Sequence, residues 1–251
     1  MDDAELDRLV ATHPDNGHRV FVAQIDGRRV FVKQVEKDFP NRTAKWISGA
    51  VDHLTGRAHL TPLDQETMRI AALKASGFTV PDIVARTDRY LVLSDIGPNL
   101  ETLVAVAGPS ERERLLREAA ATLRRLHDCG GWHGAAVLRN ITQAGSGIGF
   151  LDLENRVDAF MPLRVRQVWD LWSLGHAAAL FDDTGGFTAT ALRAYGEGAV
   201  RTWLWCFTAV FVGTYVTLKP FQPLKKRELR QTIGCMGGIF AAGRTNSHAM
   251  S

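Results

Sequence analysis

Two short segments carry the residue types best suited to chemistry. Residues 132–141 read Trp-His-Gly-Ala-Ala-Val-Leu-Arg-Asn-Ile, and residues 149–154 read Gly-Phe-Leu-Asp-Leu-Glu. The first is a polar turn that ends near Asn140, and the second is an apolar strand that delivers Asp152. Amide and carboxylate oxygens are hard ligands, which suits them to a Mg²⁺ ion that bridges nucleotide phosphates. The two segments therefore predict a nucleotide-metal site with Asn140 and Asp152 as ligands.

The elements that must position these ligands include a predicted hairpin near the N-terminus. Residues 19–25 and 29–35 are two β-rich runs, and Asp26-Gly27-Arg28 between them is a turn signal. Lys33 lies inside the second run. A strand lysine is ordinarily solvent-facing, so its position alone does not assign a function to Lys33.

A helix is predicted next, from Asp64 to Ala75. Asp64 is the expected N-cap, and Gly77 is the expected residue just beyond the C-terminus. Glu66 falls in the first turn, where the helix dipole favours an acidic residue. That local preference explains Glu66 without any functional role.

Taken in order, these motifs resemble those of protein-kinase-like phosphotransferases. The bacterial pattern H-G-D-x-x-x-x-N followed by D-F-E is similar to the sequence around His133, Asn140 and Asp152. The segment from Glu66 to Val80-Pro81 resembles the family helix whose Glu pairs with the strand Lys. The segment that starts at Asp170 resembles the D-x-W-S-x-G helix, whose buried Asp braces the catalytic loop.

The resemblance extends over residues 19–181 and is nearest to bacterial lipopolysaccharide kinase-like proteins and the small Bud32-like kinases. It implies an α+β, bilobal protein-kinase-like fold. A small antiparallel-sheet lobe would comprise residues 1–96, and a mainly helical large lobe would comprise residues 97–243.

The same resemblance implies a set of site residues. ATP and Mg²⁺ are the implied cofactors, with Lys33 on the phosphates and Glu66 paired with Lys33. Asp95 would lie in the hinge that contacts adenine. The implied reaction is phosphotransfer to a hydroxyl, on a lipopolysaccharide core sugar or a related glycolipid.

One departure from the family pattern concerns the chemistry itself, because the position of the catalytic Asp is Ala135. His133 is the first candidate for a replacement base, and Glu154 is another. The alternative for His133 is a loop-bracing residue that packs beneath the site. The segment before Arg19 also lacks a G-x-G-x-x-G loop, so weak nucleotide affinity is expected.

Ala135 leaves a second function open, a pseudokinase that binds nucleotide or acts as a structural partner protein. A third, an antibiotic kinase, would need an acidic pocket for a cationic drug. In the large lobe, Asp182-Asp183 is the only adjacent acidic pair.

Three other segments bear on partners. Residues 36–63 form an insertion with a predicted basic amphipathic helix, which either packs on the small lobe or contacts a membrane or glycolipid. Residues 203–218 are apolar but shorter than a bilayer span, and basic residues follow them. Peripheral membrane contact is therefore retained as an alternative to a buried helix. Residues 244–251 are expected to form a disordered tail.

Composition limits the remaining classes. The 251 residues are 45% hydrophobic, which is enough for a full core, and a net charge of +3 does not indicate a nucleic-acid partner. Three widely spaced cysteines and an acidic N-terminus favour a cytoplasmic protein. Peripheral attachment to the inner membrane is the alternative that the segments above leave open. A nucleotide and either a glycolipid or a protein acceptor are the expected partners.

Overall fold

The computed structural model of the protein describes residues 3–12, 19–35, 61–154, 161–182, 184–218 and 226–244. Two compact units divide the chain, residues 1–97 with 151–160 and residues 98–150 with 161–251. The predicted α+β class is confirmed, because a small antiparallel sheet belongs to the first unit and the second is mainly helical. The predicted insertion up to residue 60 and the tail from residue 245 lie outside the described residues.

The first unit is built on four antiparallel strands: β1 (Val20–Ile25), β2 (Arg28–Gln34), β3 (Ile83–Arg86) and β4 (Tyr90–Ser94), in the sheet order β1-β2-β4-β3. The predicted hairpin is formed by β1 and β2. Asp26 and Gly27 at its tip have φ values of 51° and 71°, as the twist of a two-residue hairpin turn requires. Helix α1 (Asp3–Thr12) packs on the sheet through Leu6, which is fully buried.

Helix α2 (Pro62–Ala75) begins earlier than predicted. Thr61, not Asp64, is the N-cap, and the side chains of the two residues each bond the other's backbone N–H in a capping box. Pro62 causes the shift, because its fixed φ suits the first helical position. Partial burial alone would raise the pKa of Asp64, but hydrogen bonds from Thr61 and Arg86 lower it overall.

The second unit contains most of the helices. Its elements are helices α3 (Leu100–Val106) and α4 (Pro109–Asp128), a 3₁₀ turn (Leu138–Asn140), the hairpin of β5 (Ile141–Ala144) and β6 (Gly147–Phe150), and helices α5 (Leu163–Ala178), α6 (Gly186–Tyr195), α7 (Ala199–Leu218) and α8 (Lys226–Arg244). Its core is made of fully buried side chains such as Leu116, Leu123 and Leu174. The 3₁₀ turn therefore lies directly before the β5–β6 hairpin, where the sequence predicted a polar turn that ends near Asn140.

Helix α7 contains the apolar segment that left membrane contact open. Among the helices that the structure describes, none combines the length and the hydrophobicity needed to cross a bilayer. The three cysteines are free thiols, with Cys235 buried and the other two exposed. Burial raises the pKa of Cys235 to about 12.

Candidate functional site

Lys33 is buried in the first unit, so the solvent-facing interpretation of this residue is wrong. It lies on the central strand β2, where Val20 of β1 and Leu91 of β4 are its register partners. Only 8% of its side chain is exposed. A lysine in such a position needs acceptors for its three N–H groups, because an unpaired buried charge is costly.

Those acceptors are carboxylates. The Lys33 Nζ donates to both oxygens of Glu66 at 2.8 Å and to Asp152 Oδ1 at 3.0 Å. The Glu66 side chain is 1% exposed, whereas the Asp152 side chain is 43% exposed. The Lys33–Glu66 pair that the resemblance implied is thus present. The second carboxylate bonded to Lys33 is that of Asp152, the predicted metal ligand.

The charges in this cluster keep the ammonium protonated. Burial by itself lowers the pKa of Lys33, but the negative charges of Glu66, Asp152 and Glu154 outweigh burial, so the pKa lies above its ordinary value. Burial raises the pKa of Glu66, and the nearby ammonium opposes that rise. We take Lys33 to be charged at neutral pH, because the acceptors of all its bonds are carboxylate oxygens.

Asp152 has an unusual backbone. Its φ of 57° lies in the left-handed region, which is uncommon for residues other than glycine. Such conformations are concentrated at functional sites and persist only where surrounding contacts fix them. Here the Leu153 N–H donates to Glu66 Oε1 at 3.3 Å, and Arg69 donates to the Leu153 carbonyl at 3.0 Å.

Arg19 is a site residue that the sequence did not reveal. Its guanidinium makes a two-pronged contact with Glu154, with one bond of 2.6 Å from Nη1 to Oε1. Glu154 Oε2 is also 3.7 Å from Lys33 Nζ. Because Glu154 is engaged by two cations, the geometry does not favour it as a replacement base. The only local signal is that Arg19 immediately precedes β1.

Asp95 lies just after β4, as expected for the predicted hinge. Its carboxylate contacts Arg29 Nε at 3.2 Å and accepts a bond from the Gly97 N–H at 2.9 Å. Its backbone N–H donates to the Arg29 carbonyl at 3.3 Å. These contacts fix the segment in the first unit, and a contact of Asp95 with adenine stays a prediction.

The predicted catalytic loop belongs to the second unit and is held by Asp170. This fully buried carboxylate accepts bonds from the His133 N–H at 2.5 Å and the Gly134 N–H at 2.7 Å. His127 Nε2 lies 3.2 Å from the same carboxylate, and its Nδ1 lies 2.7 Å from the Tyr195 hydroxyl. Asp170 therefore has the bracing geometry that the resemblance implied.

His133 does not have the geometry of a base. Its side chain is fully buried, its Nδ1 accepts a bond from the Ala135 N–H at 3.2 Å, and its ring packs edge-on against Phe150. A general base must come within hydrogen-bond reach of the substrate proton. The structure therefore favours the loop-bracing alternative for His133, and its role as a replacement base stays a prediction.

Asn140 is nearly buried at the end of the 3₁₀ turn, and its Nδ2 donates to the Ala135 carbonyl at 3.0 Å. This bond uses the amide nitrogen, so the oxygen is the atom that remains suited to a cation. No group of three or more His, Cys, Asp or Glu side chains within the described ranges could hold a metal by itself. Mg²⁺ commonly needs only one or two protein ligands when phosphates and water supply the rest. Asp152 of the first unit and Asn140 of the second each present an oxygen of the type that Mg²⁺ prefers, and their role as metal ligands stays a prediction.

Removal of the Asp170 carboxylate should loosen the catalytic loop. Asp170→Ala leaves two buried N–H groups without their acceptor, each at a cost of about 1–3 kcal/mol. We expect the free energy of unfolding to fall by roughly 3 kcal/mol, as measured by urea denaturation. Asp128→Ala, at an exposed residue paired with Arg124, is the control and should change little. Equal stability of the two variants would contradict the bracing role.

Comparison with known proteins finds similarity to solved structures only. No family model matches the sequence, and no curated protein matches it. The chain is similar to a solved structure described as WaaP in complex with acyl carrier protein, with 16% sequence identity and a TM-score of 0.45. The similarity covers 80% of this chain and 83% of that chain.

Proposed function

We propose that the protein is an ATP- and Mg²⁺-dependent phosphotransferase that acts on a hydroxyl group. The observation that carries this proposal is the buried Lys33 ammonium, bonded at once to Glu66 and to the half-exposed Asp152. A charged donor beside an accessible carboxylate is the arrangement that a metal-bound triphosphate requires. A lysine that served the core alone would not need an accessible carboxylate in a left-handed conformation.

The roles of the residues follow from their contacts. Lys33 donates to phosphate oxygens, and Glu66 holds its ammonium in place from the buried side. Asp152 is the proposed metal ligand of the first unit, and Asn140 that of the second. Mg²⁺, when bound, neutralises charge on the phosphoryl group that is transferred. Asp95 is proposed to help fix the segment that contacts the base.

Binding of ATP tests this function directly. Thermal-shift and calorimetric titrations with ATP and Mg²⁺ should raise the melting temperature of the wild type. Asp152→Asn should weaken the Mg²⁺-dependent binding by about tenfold or more, because one anionic ligand is lost. Asp82→Asn is the matched control, since Asp82 is exposed, pairs with Lys74 and belongs to the same unit. If ATP leaves the wild type unaffected in the presence of Mg²⁺, the proposed function fails.

A pseudokinase is the second candidate, and Ala135 is the observation that favours it. Without a carboxylate at this position, the acceptor hydroxyl has no residue there to orient it or take its proton. In that case the protein with nucleotide bound would act as a regulatory or structural partner of another protein. The antibiotic-kinase alternative gains no support, because Asp182 is used to bond Thr184 and the Phe187 N–H at the start of α6.

The acceptor that we propose from the motif resemblance is a lipopolysaccharide core sugar or a related glycolipid. The fold does not determine this choice, because one fold supports many substrates. A protein acceptor and peripheral membrane contact stay as proposals. Residues 219–225 of the segment 219–227, which mixes basic and apolar residues, lie outside the described part of the chain.

A further inference from the structure

An open groove in the second unit lies next to the catalytic loop. It has a volume of about 660 Å³, which is within the size range of small-molecule sites. One part of its lining comes from α3, another from residues 180 and 181, which follow α5, and Arg139 of the 3₁₀ turn completes it. The side chains that characterise it are Glu101, Thr102, Val106, Arg139, Leu180 and Phe181.

Arg139 is the unusual feature of this groove. It is the only charged residue in the loop from 132 to 141, and its side chain is exposed. Within the described parts of the chain, Arg139 makes no hydrogen bond or ion pair. It directly precedes Asn140, which bonds the Ala135 carbonyl, so Arg139 belongs to the same turn as the position that lacks the family Asp.

The charge of the loop therefore differs from that of the resembled pattern. With an Asp at position 135 the loop would carry no net charge, whereas with Ala135 the single charge is that of Arg139. A guanidinium is well suited to phosphate, because its planar fork binds two oxygens at once. The positive charge of the loop thus favours an acceptor substrate that carries an anionic group such as phosphate.

The remaining wall of the groove suits the rest of such a ligand. Val106 is 82% exposed, and Leu180 and Phe181 add further apolar surface. Among the described residues that line the groove, Glu101 is the only one with a carboxylate, and it can accept hydrogen bonds from hydroxyl groups. The Arg139 guanidinium, the Glu101 carboxylate as a hydrogen-bond acceptor and the apolar wall together match a phosphorylated sugar, whose ring has apolar faces and a polar rim.

We propose that this groove binds the acceptor as a phosphorylated sugar, with the phosphate on Arg139, the ring along Val106 and Phe181, and a hydroxyl on Glu101. The role of the bound sugar as acceptor rests on the proposed phosphotransferase function, whereas binding of a sugar phosphate in the groove does not. The ligand chemistry is shared by a free sugar phosphate and by the headgroup of a phosphorylated glycolipid.

The test measures binding without nucleotide or metal, so that its failure is distinguishable from failure of the ATP titration. Glucose 6-phosphate, glucose and inorganic phosphate are titrated into the full chain and followed by NMR chemical-shift changes. Glucose 6-phosphate should bind best of the three. Arg139→Gln should weaken it by about tenfold or more, because a charge-assisted contact is lost, while Arg139→Lys should retain part of the affinity.

Arg193→Gln is the matched control, because Arg193 is an exposed arginine of the same unit, on α6, and does not line the groove. It should bind glucose 6-phosphate as the wild type does. Phosphatidylcholine vesicles that contain phosphatidylinositol 4-phosphate form a second arm, and Arg139-dependent binding tighter than that of glucose 6-phosphate identifies the lipid source. The proposal is overturned if the wild type binds neither glucose 6-phosphate nor the vesicles. It is also overturned if Arg139→Gln binds these probes like the wild type, or if inorganic phosphate binds as well as glucose 6-phosphate.

Discussion

Ala135→Asp is expected to raise the rate of phosphate transfer or release from ATP by about 10²–10⁴-fold, the usual contribution of a positioned acid-base group. The variant restores a carboxylate to the turn that Asp170 braces through the His133 and Gly134 N–H groups. Because that backbone is already fixed, the new side chain requires no rearrangement of the loop. The measurement is the release of labelled phosphate from ATP in the presence of Mg²⁺.

Two controls make this result decisive. Ala121→Asp adds the same charge on the exposed side of α4 and should leave the rate unchanged. Ala135→Asp combined with Asp152→Asn should be inactive, because the proposed metal ligand is lost. If the wild type is inert and Ala135→Asp is active, the natural protein is a pseudokinase. If both transfer phosphate at the same rate, another group already acts as the base.

Lys33→Met is expected to lower the free energy of unfolding by about 3–5 kcal/mol, which is the usual cost of removing one partner from a buried ion pair. The loss arises because Glu66, 1% exposed, is left without its counter-ion. Urea denaturation followed by circular dichroism measures this change. Lys74→Met is the control, because the Lys74–Asp82 pair is at the surface and is worth roughly 0–1 kcal/mol.

The double variant Lys33→Met/Glu66→Leu separates stability from function. Replacement of both partners by apolar residues removes the buried charge, so most of the lost stability should return. ATP binding should stay absent in the double variant, because the phosphate-binding ammonium is gone. A double variant that binds ATP like the wild type would contradict the assignment of Lys33 to the phosphates.

Much of the first unit could be predicted from local patterns. Asp26-Gly27 predicts the hairpin because its tight turn needs positive φ at both positions, and the structure has those values. The predicted N-cap at Asp64 is wrong because Pro62 occupies the first helical position, which makes Thr61 the N-cap of α2. The signal for the true N-cap is local, because proline is favoured at the first position of a helix.

Other features of the site could not be predicted because they depend on contacts between distant residues. Arg19 and Glu154 are 135 positions apart, and no short pattern predicts their pairing. The burial of His133 against Phe150 likewise depends on how the loop packs on the hairpin that follows it. In the sequence, His133 is only a titratable residue of a predicted loop. Its burial against Phe150 is what favours a bracing role.

By itself, the sequence determined the residue types and their order along the chain: a strand lysine, a helix glutamate, a loop asparagine, and an aspartate after a strand, with alanine where the resembled family has its Asp. Local rules suffice to predict the strand, helix and loop that contain these residues, because turns, caps and strand patterns depend on near neighbours. Only the tertiary structure decided that the Lys33 ammonium is buried on Glu66 and Asp152, and that Arg139 is exposed at a groove. Burial and charge pairing are properties of surfaces brought together by folding, and a linear pattern contains neither.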